Sequence, residues 1–424
     1  MLTIVAIQAE IKQLDQFNMN FFHDLIPTDF KYWEDTSDDF RPLEGSLLPL
    51  WKFTSYKTRD LMVADISWSP TYPDLLAAAY TPGEMSGPDE AGGLLCLYTL
   101  KNPGVPERYL PTPCGLTSVQ FHPTHESVLV AGRTDGAVMV YDARQALLPR
   151  VVTSSTTSGK HLLPVCQVKW VPTEPGQNLS FYSVGDDGRV SEWTVRPSAL
   201  DVTDLLDFKT HAITTSFKGI ATCVSFKPVD KSILLVGLDT GVVLEMCLTA
   251  SSHPYILYTA HKAPIRAIVW NSHHHQLFAT CSLDWMLKIW MQHYTCALVT
   301  LDLGAPMSGL TWCNYSSSVI VGVTEDGRVH VYDLFLHKCR PLCVQNLLQR
   351  RRSSVACLEL SPFFPILLVG GDRGYLVTFK LSPNLRRPHK EAKGADEQKL
   401  REIELAKMER IITTAKISAK THFH

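Results

Sequence analysis

Apolar and polar residues alternate at every second position through most of this chain, in short runs broken by Pro-, Asn- and Gly-bearing turns. A period of two predicts strands, and the period near 3.6 that predicts helices is confined to the two ends. One unit recurs seven times: an alternating strand that closes on a large residue ahead of a turn. The seven are Ile66-Ser-Trp68-Ser-Pro, Val119-Gln-Phe121-His-Pro, Val168-Lys-Trp170-Val-Pro, Val224-Ser-Phe226-Lys-Pro, Ile268-Val-Trp270-Asn-Ser, Leu310-Thr-Trp312-Cys-Asn and Leu358-Glu-Leu360-Ser-Pro. These anchors stand 53, 49, 56, 44, 42 and 48 residues apart, and each is followed by an apolar run, a glycine-bearing turn and a second alternating strand. In units two, four, five and six, 20 residues separate the anchor from the large residue that closes that strand, as from Trp270 to Trp290.

The turns agree. Asp135-Gly136, Asp187-Gly188 and Asp326-Gly327 supply the positive φ of a tight hairpin, and Asp239-Thr-Gly241 and Asp372-Arg-Gly374 are variants. Four short strands in each unit of about 40–50 residues is the signature of a WD40 β-propeller. The fold class expected is all-β: a seven-bladed WD40 propeller over residues 46–381, with short helical extensions at 1–45 and 382–424. Blade five carries a full hydrogen-bond relay for this fold in His261, Ser282, Asp284 and Trp290, whereas the other blades keep fragments such as Tyr141-Asp142 and Tyr332-Asp333. A histidine beside a carboxylate also reads as a catalytic dyad, but the spacing is the fold's own and buried polar groups must pair in any case.

Blade seven has three strands of its own. Its fourth is expected from residues 46–53, where Leu47, Leu48, Leu50, Trp51 and Phe53 form a closing strand that joins the ends of the ring and covers a sheet edge. Ahead of it, Ile4, Ile7, Ile11 and Leu14 recur on one face of a helix spanning about residues 2–18. An acidic stretch punctuated by aromatics, Phe30 to Phe40, follows. Beyond the ring, residues 395–416 predict a second helix with Leu405, Met408 and Ile412 along one side. Both apolar stripes are candidate partner-binding surfaces; each could instead cover the propeller itself.

Composition narrows the function. With 40 basic against 42 acidic residues in 424, bulk positive charge does not drive binding here, and no nucleic-acid partner is expected. The charge is unevenly placed, however. Residues 1–45 hold three basic and nine acidic side chains, and residues 386–424 hold ten basic and six acidic. Eleven cysteines lie scattered, mostly in apolar runs, without zinc-site spacing, which fits a reducing compartment. No long apolar stretch and no signal peptide are legible, so no membrane is expected. There is no phosphate-binding glycine loop and no nucleophile–base–oxyanion set; the chain is not expected to be an enzyme, and no cofactor or metal is expected. His273-His-His275 is read as a solvent turn. Arg350-Arg-Arg-Ser353-Ser354 fits a basophilic kinase site at Ser353 or Ser354, or plain solvation.

Several stretches carry a family resemblance. They are Phe30-Lys-Tyr-Trp, Gly45-Ser-Leu-Leu-Pro-Leu-Trp-Lys-Phe53, Gln167-Val-Lys-Trp170, Cys281-Ser-Leu-Asp-Trp285-Met-Leu-Lys-Ile-Trp290 and Val369-Gly-Gly-Asp-Arg-Gly374. Over roughly residues 28–418 the chain resembles the axonemal dynein intermediate chains, those of the outer arm in particular. The resemblance implies a non-catalytic subunit that binds the tail of a dynein heavy chain, pairs with a second dynein intermediate chain and helps fix the motor to the doublet microtubule. It implies a place in the axoneme of a cilium or flagellum, with the cytoplasm before assembly. Family members also recruit light chains through a long N-terminal arm. Only about 45 residues precede the closing strand here, so dynein light chains remain a doubtful partner, and a shortened isoform or a paralogue is implied. The long loop at 81–93 and the loop at 345–354 are the expected heavy-chain contacts, since departures from repeat length gather on binding faces. Alternatives are a cytoplasmic dynein intermediate chain-like adaptor, a generic WD40 scaffold or peptide-binding receptor such as a ubiquitin-ligase substrate receptor or a histone-peptide reader, and, least, a propeller hydrolase.

Overall fold

The computed structural model describes residues 45–83, 92–143, 150–154, 159–171, 178–196, 199–207, 219–249, 255–347, 354–386 and 396–421. Within them 28 strands form seven four-stranded antiparallel sheets, followed by two helices, Pro383–Arg386 and Glu397–Thr421. Six sheets use consecutive strands. The seventh runs Leu47–Phe53, Leu376–Leu381, Ile366–Gly371, Val355–Leu360, so the first strand lies on the outside of the last blade. The chain is a seven-bladed β-propeller.

The repeated anchors have a physical task. In all seven blades the pairing of the inner strand with its neighbour slips once near its start, for instance between Val63 and Asp65 and between Ile265 and Ala267. Such a bulge adds twist and re-aims the side chains beyond it. Several of those side chains then reach the next blade. Asp65 Oδ2 accepts from the Val119 N–H (2.9 Å), Gln120 Oε1 from the Trp170 N–H (2.7 Å), and Gln167 Oε1 from the Val224 N–H (2.7 Å). Glu359 Oε2 closes the circle on the Trp68 N–H (2.6 Å). Elsewhere the anchor itself makes the stitch: Trp270 Nε1 donates to the Ser225 carbonyl (3.4 Å) and Trp312 Nε1 to the Val269 carbonyl (3.2 Å). Apolar clusters fill the wedges between blades, such as Tyr258, Ile265, Trp270, Phe278 and Trp290. At roughly 1.5–3 kcal/mol for each large side chain withdrawn from water, these wedges dominate the stability of the ring.

The closing strand pairs Leu47 with Leu381 and Phe53 with Leu376. Pro49 has no N–H to give, and the pairing slips between Pro49 and Lys52. Thr378 bridges the irregularity, accepting from the Trp51 N–H at 3.0 Å and donating to the Trp51 carbonyl at 3.2 Å. Leu47 and Phe53 are buried, and Leu48, Leu50 and Trp51 are half-buried. Phe53 meets Tyr98 of blade one edge-on, with ring centroids 5.4 Å apart, which ties the last sheet to the first.

The C-terminal helix does not stand apart from the ring. Glu404, Lys407, Met408, Ile411, Ile412 and Ala415 are buried at steps of three and four residues, one face of a helix. Met408, Ile411 and Ile412 join the core cluster of blades five and six. The polar end of that face is equally fixed. Ser317 donates its N–H (2.7 Å) and its hydroxyl (2.6 Å) to Glu404 Oε2, and Lys407 Nζ donates to Ser316 Oγ at 2.8 Å. Burial alone would raise the Glu404 pKa, but these donors and the Lys407 ammonium hold the carboxyl below its ordinary value.

Candidate functional site

Two relays mark one face of the propeller, where the connections between blades meet the hairpin turns within them. In blade five, His261 Nδ1 lies 3.0 Å from both carboxylate oxygens of Asp284, and Nε2 lies 2.7 Å from Thr280 Oγ1. Trp290 Nε1 donates to the same Oγ1 at 3.0 Å. One proton arrangement satisfies all of these: indole N–H to hydroxyl, hydroxyl to Nε2, Nδ1–H to carboxylate. It requires a neutral imidazole, and burial pushes the His261 pKa down to about 4 against the pull of Asp284.

The relay hydroxyl is therefore Thr280 and not Ser282. Ser282 instead donates to the Ala263 carbonyl at 2.9 Å and accepts from the Asp284 N–H at 3.3 Å, bracing the turn. Nor is blade five alone in carrying a full set. In blade three His161 Nδ1 lies 3.0 Å from Asp187 Oδ1 and Nε2 lies 2.6 Å from Ser183 Oγ, which accepts from Trp193 Nε1 at 2.7 Å. Both histidines spend their two nitrogens on the scaffold, which leaves neither as a general base.

Among charged side chains such as Lys262, Arg266, Asp326 and Arg373, this face also exposes large apolar ones. The turns of blades two, three and six place Gly136, Gly188 and Gly327 at φ +83°, +82° and +84°. Blade five puts Trp285 in the same place, at φ +73° and 49% exposed. A side chain in this left-handed region costs roughly 1–2 kcal/mol that glycine avoids. Beside the blade-three relay, Leu162 is 84% exposed, although Asp187 fixes its backbone N–H at 3.0 Å. Tyr56, on the connection from the closing strand into blade one, is also exposed. The strands flanking 81–93 and 345–354 open onto this face as well, but residues 84–91 and 348–353, Ser353 among them, lie outside the described residues. Ser354 is exposed, its N–H donating to Asp372 Oδ2 at 3.1 Å.

The other candidate surfaces fare differently. Ile4, Ile7, Ile11 and Leu14 lie outside the described residues, as does the stretch from Phe30 to Phe40. Met408 and Ile412 are spent on the propeller core, so they do not offer a partner surface, and the buried stripe is Met408, Ile411, Ile412 and Ala415. Leu405 is left off that stripe, 38% exposed on the outer side of the helix. Among the described residues no cluster of His, Cys, Asp and Glu is suited to hold a metal ion.

Comparison with known proteins extends these observations. The WD domain, G-beta repeat family matches residues 252–291, which take in the outer strand of blade four and the first three strands of blade five. Dynein intermediate chain 2, ciliary, of Heliocidaris crassispina is 38% identical over 404 residues, 93% of this chain and 57% of that protein. Dynein axonemal intermediate chain 1 of Mus musculus is 35% identical over 413 residues, 95% of this chain and 58% of that protein. The 78 kDa intermediate chain of the flagellar outer arm of Chlamydomonas reinhardtii is 36% identical over 415 residues, 95% of this chain and 59% of that protein. The chain thus spans less than two thirds of the length of these relatives.

Proposed function

We propose that this chain, a WD40-repeat relative of the axonemal dynein intermediate chains, is a non-catalytic intermediate-chain subunit of an outer-arm dynein motor in cilia or flagella. In this reading it binds the tail of a dynein heavy chain and pairs with a second intermediate chain, helping to assemble the motor and anchor it on the doublet microtubule. The observation that carries the reading is the extent of the similarity, 93–95% of the chain at 35–38% identity. That extent is longer than the propeller itself, so it reaches beyond the repeats that any WD40 protein shares.

The relay face is the proposed heavy-chain surface. Large assemblies are held across wide faces with a few buried aromatic anchors, not in one deep pocket. Trp285 fits that part: strain at a position where sister blades use glycine is the kind of stability cost that binding surfaces carry. Replacing Trp285 with Gly is expected to stabilise the isolated chain by about 1 kcal/mol while weakening heavy-chain capture by roughly tenfold or more. Thermal melts and quantitative co-precipitation check the two halves. Capture unchanged by Trp285→Gly, and by alanine blocks at 84–91 and 348–353, would remove this face as the contact.

A further inference from the structure

On the face opposite the relays, where the C-terminal helix is docked, blades six and seven leave a cleft of about 300 Å³. Phe363, Phe364 and Tyr315 line it, with Arg386 at its edge. Phe363 and Phe364 are 46% and 45% exposed, an apolar pair that nothing among the described residues covers. Arg386 is the one charged side chain in the lining, and no ion pair holds it among the described residues. The chain enters the described structure at this spot. Gly45 donates its N–H to the Leu342 carbonyl at 3.1 Å, and a Cβ at Gly45 would lie 2.2 Å from Leu385 Cδ2, beside Arg386. A side chain at 45 would therefore require the buried Leu385 to shift.

The residues that precede Gly45 have the chemistry the cleft lacks: Glu34, Asp35, Asp38 and Asp39, then Phe40. Phe40 is five residues from Gly45, and five extended residues span roughly 17 Å. We propose that the cleft is the docking site for the chain's own acidic aromatic segment, with Phe40 seated on Phe363 and Phe364 and the Asp38–Asp39 carboxylates against Arg386. The aromatic pair gives the segment an apolar anchor, and the opposite charges set its direction. Docking there would fix where residues ahead of the propeller leave it.

Hydrogen exchange read by mass spectrometry on the whole chain tests this directly. Amides of residues 36–44 are expected to exchange at least tenfold more slowly than free peptide. Phe363→Ser with Phe364→Ser should return them to the free rate while the propeller strands keep their own protection. Arg386→Glu should speed exchange severalfold, and Asp38→Lys with Asp39→Lys in the same chain should restore protection; this arm holds even if the serine variant folds poorly. Free exchange in the unaltered chain would overturn the proposal. So would protection indifferent to all of these changes, which would put the segment elsewhere. Protection of residues 361–365 that grows with protein concentration would put a second copy in the cleft and overturn it equally.

Discussion

Thr280 and Ser282 lie two residues apart on one strand and face the same side, yet only Thr280 joins His261 to Trp290. The register decides it. Trp290 pairs across the ladder with Phe278, so its indole reaches the next same-side position, 280, and stops short of 282. Thr280→Val should strand two buried partners and cost about 2–5 kcal/mol, whereas Ser282→Ala should cost about 1 kcal/mol. Urea melts of the two variants check the order, and a costlier Ser282→Ala would restore Ser282 to the relay. The cue was present in the chain. A hydroxyl stands ten residues before each relay tryptophan, Ser183 for Trp193 and Thr280 for Trp290. It was masked because the histidine-to-aspartate interval varies with loop length, 26 residues in blade three and 23 in blade five. Glu359 makes a second residue-scale point. Enclosure in the ring pushes its pKa up to about 8; the Trp68 N–H opposes this, and the neighbouring Asp65 adds to it. A carboxyl raised in the fold adds stability that is full below its unfolded pKa and is lost as pH climbs through about 8. Glu359→Gln, which keeps the acceptor for Trp68, should therefore gain melting temperature relative to the parent as pH rises from about 4.5 to 8. A constant difference between the two across that range would count against it.

At the scale of elements, the strands were legible because a half-buried strand writes its pleat into the sequence as alternation, and the glycine turns punctuate it. The closing strand was legible too, since blade seven lacks an outer partner and Leu47 to Phe53 has none of its own. With residues 46–53 deleted, the Leu376–Leu381 edge is bared and Phe53 leaves Tyr98, so the cooperative melt should be lost. An unchanged melt would mean that the ring holds without its closure. The terminal helix shows where sequence alone stops. Its stripe was visible, but not what covers it, because an apolar stripe looks the same whether it meets its own propeller or another chain. The polar residues that settle the matter, Glu404 and Lys407, read as an ordinary charged flank until Ser316 and Ser317 are placed beside them. Met408→Ala should cost about 2–5 kcal/mol, as for a core residue, while Leu405→Ala should cost well under 1 kcal/mol.

For the whole molecule, the closed ring has two faces that differ. One bears the relays and exposed Trp285 and Leu162; the other bears the docked helix and the cleft beside Arg386. Among the described residues, each face carries exposed large apolar side chains, Trp285 and Leu162 on one, Phe363 and Phe364 on the other. The central claim is membership of a dynein motor, and a tagged pull-down from ciliated cells at moderate salt, with mass spectrometry of everything retained, tests it most directly. The predicted result is a dynein heavy chain together with a second intermediate chain. Recovery of a ubiquitin-ligase adaptor or histones with no heavy chain would contradict it.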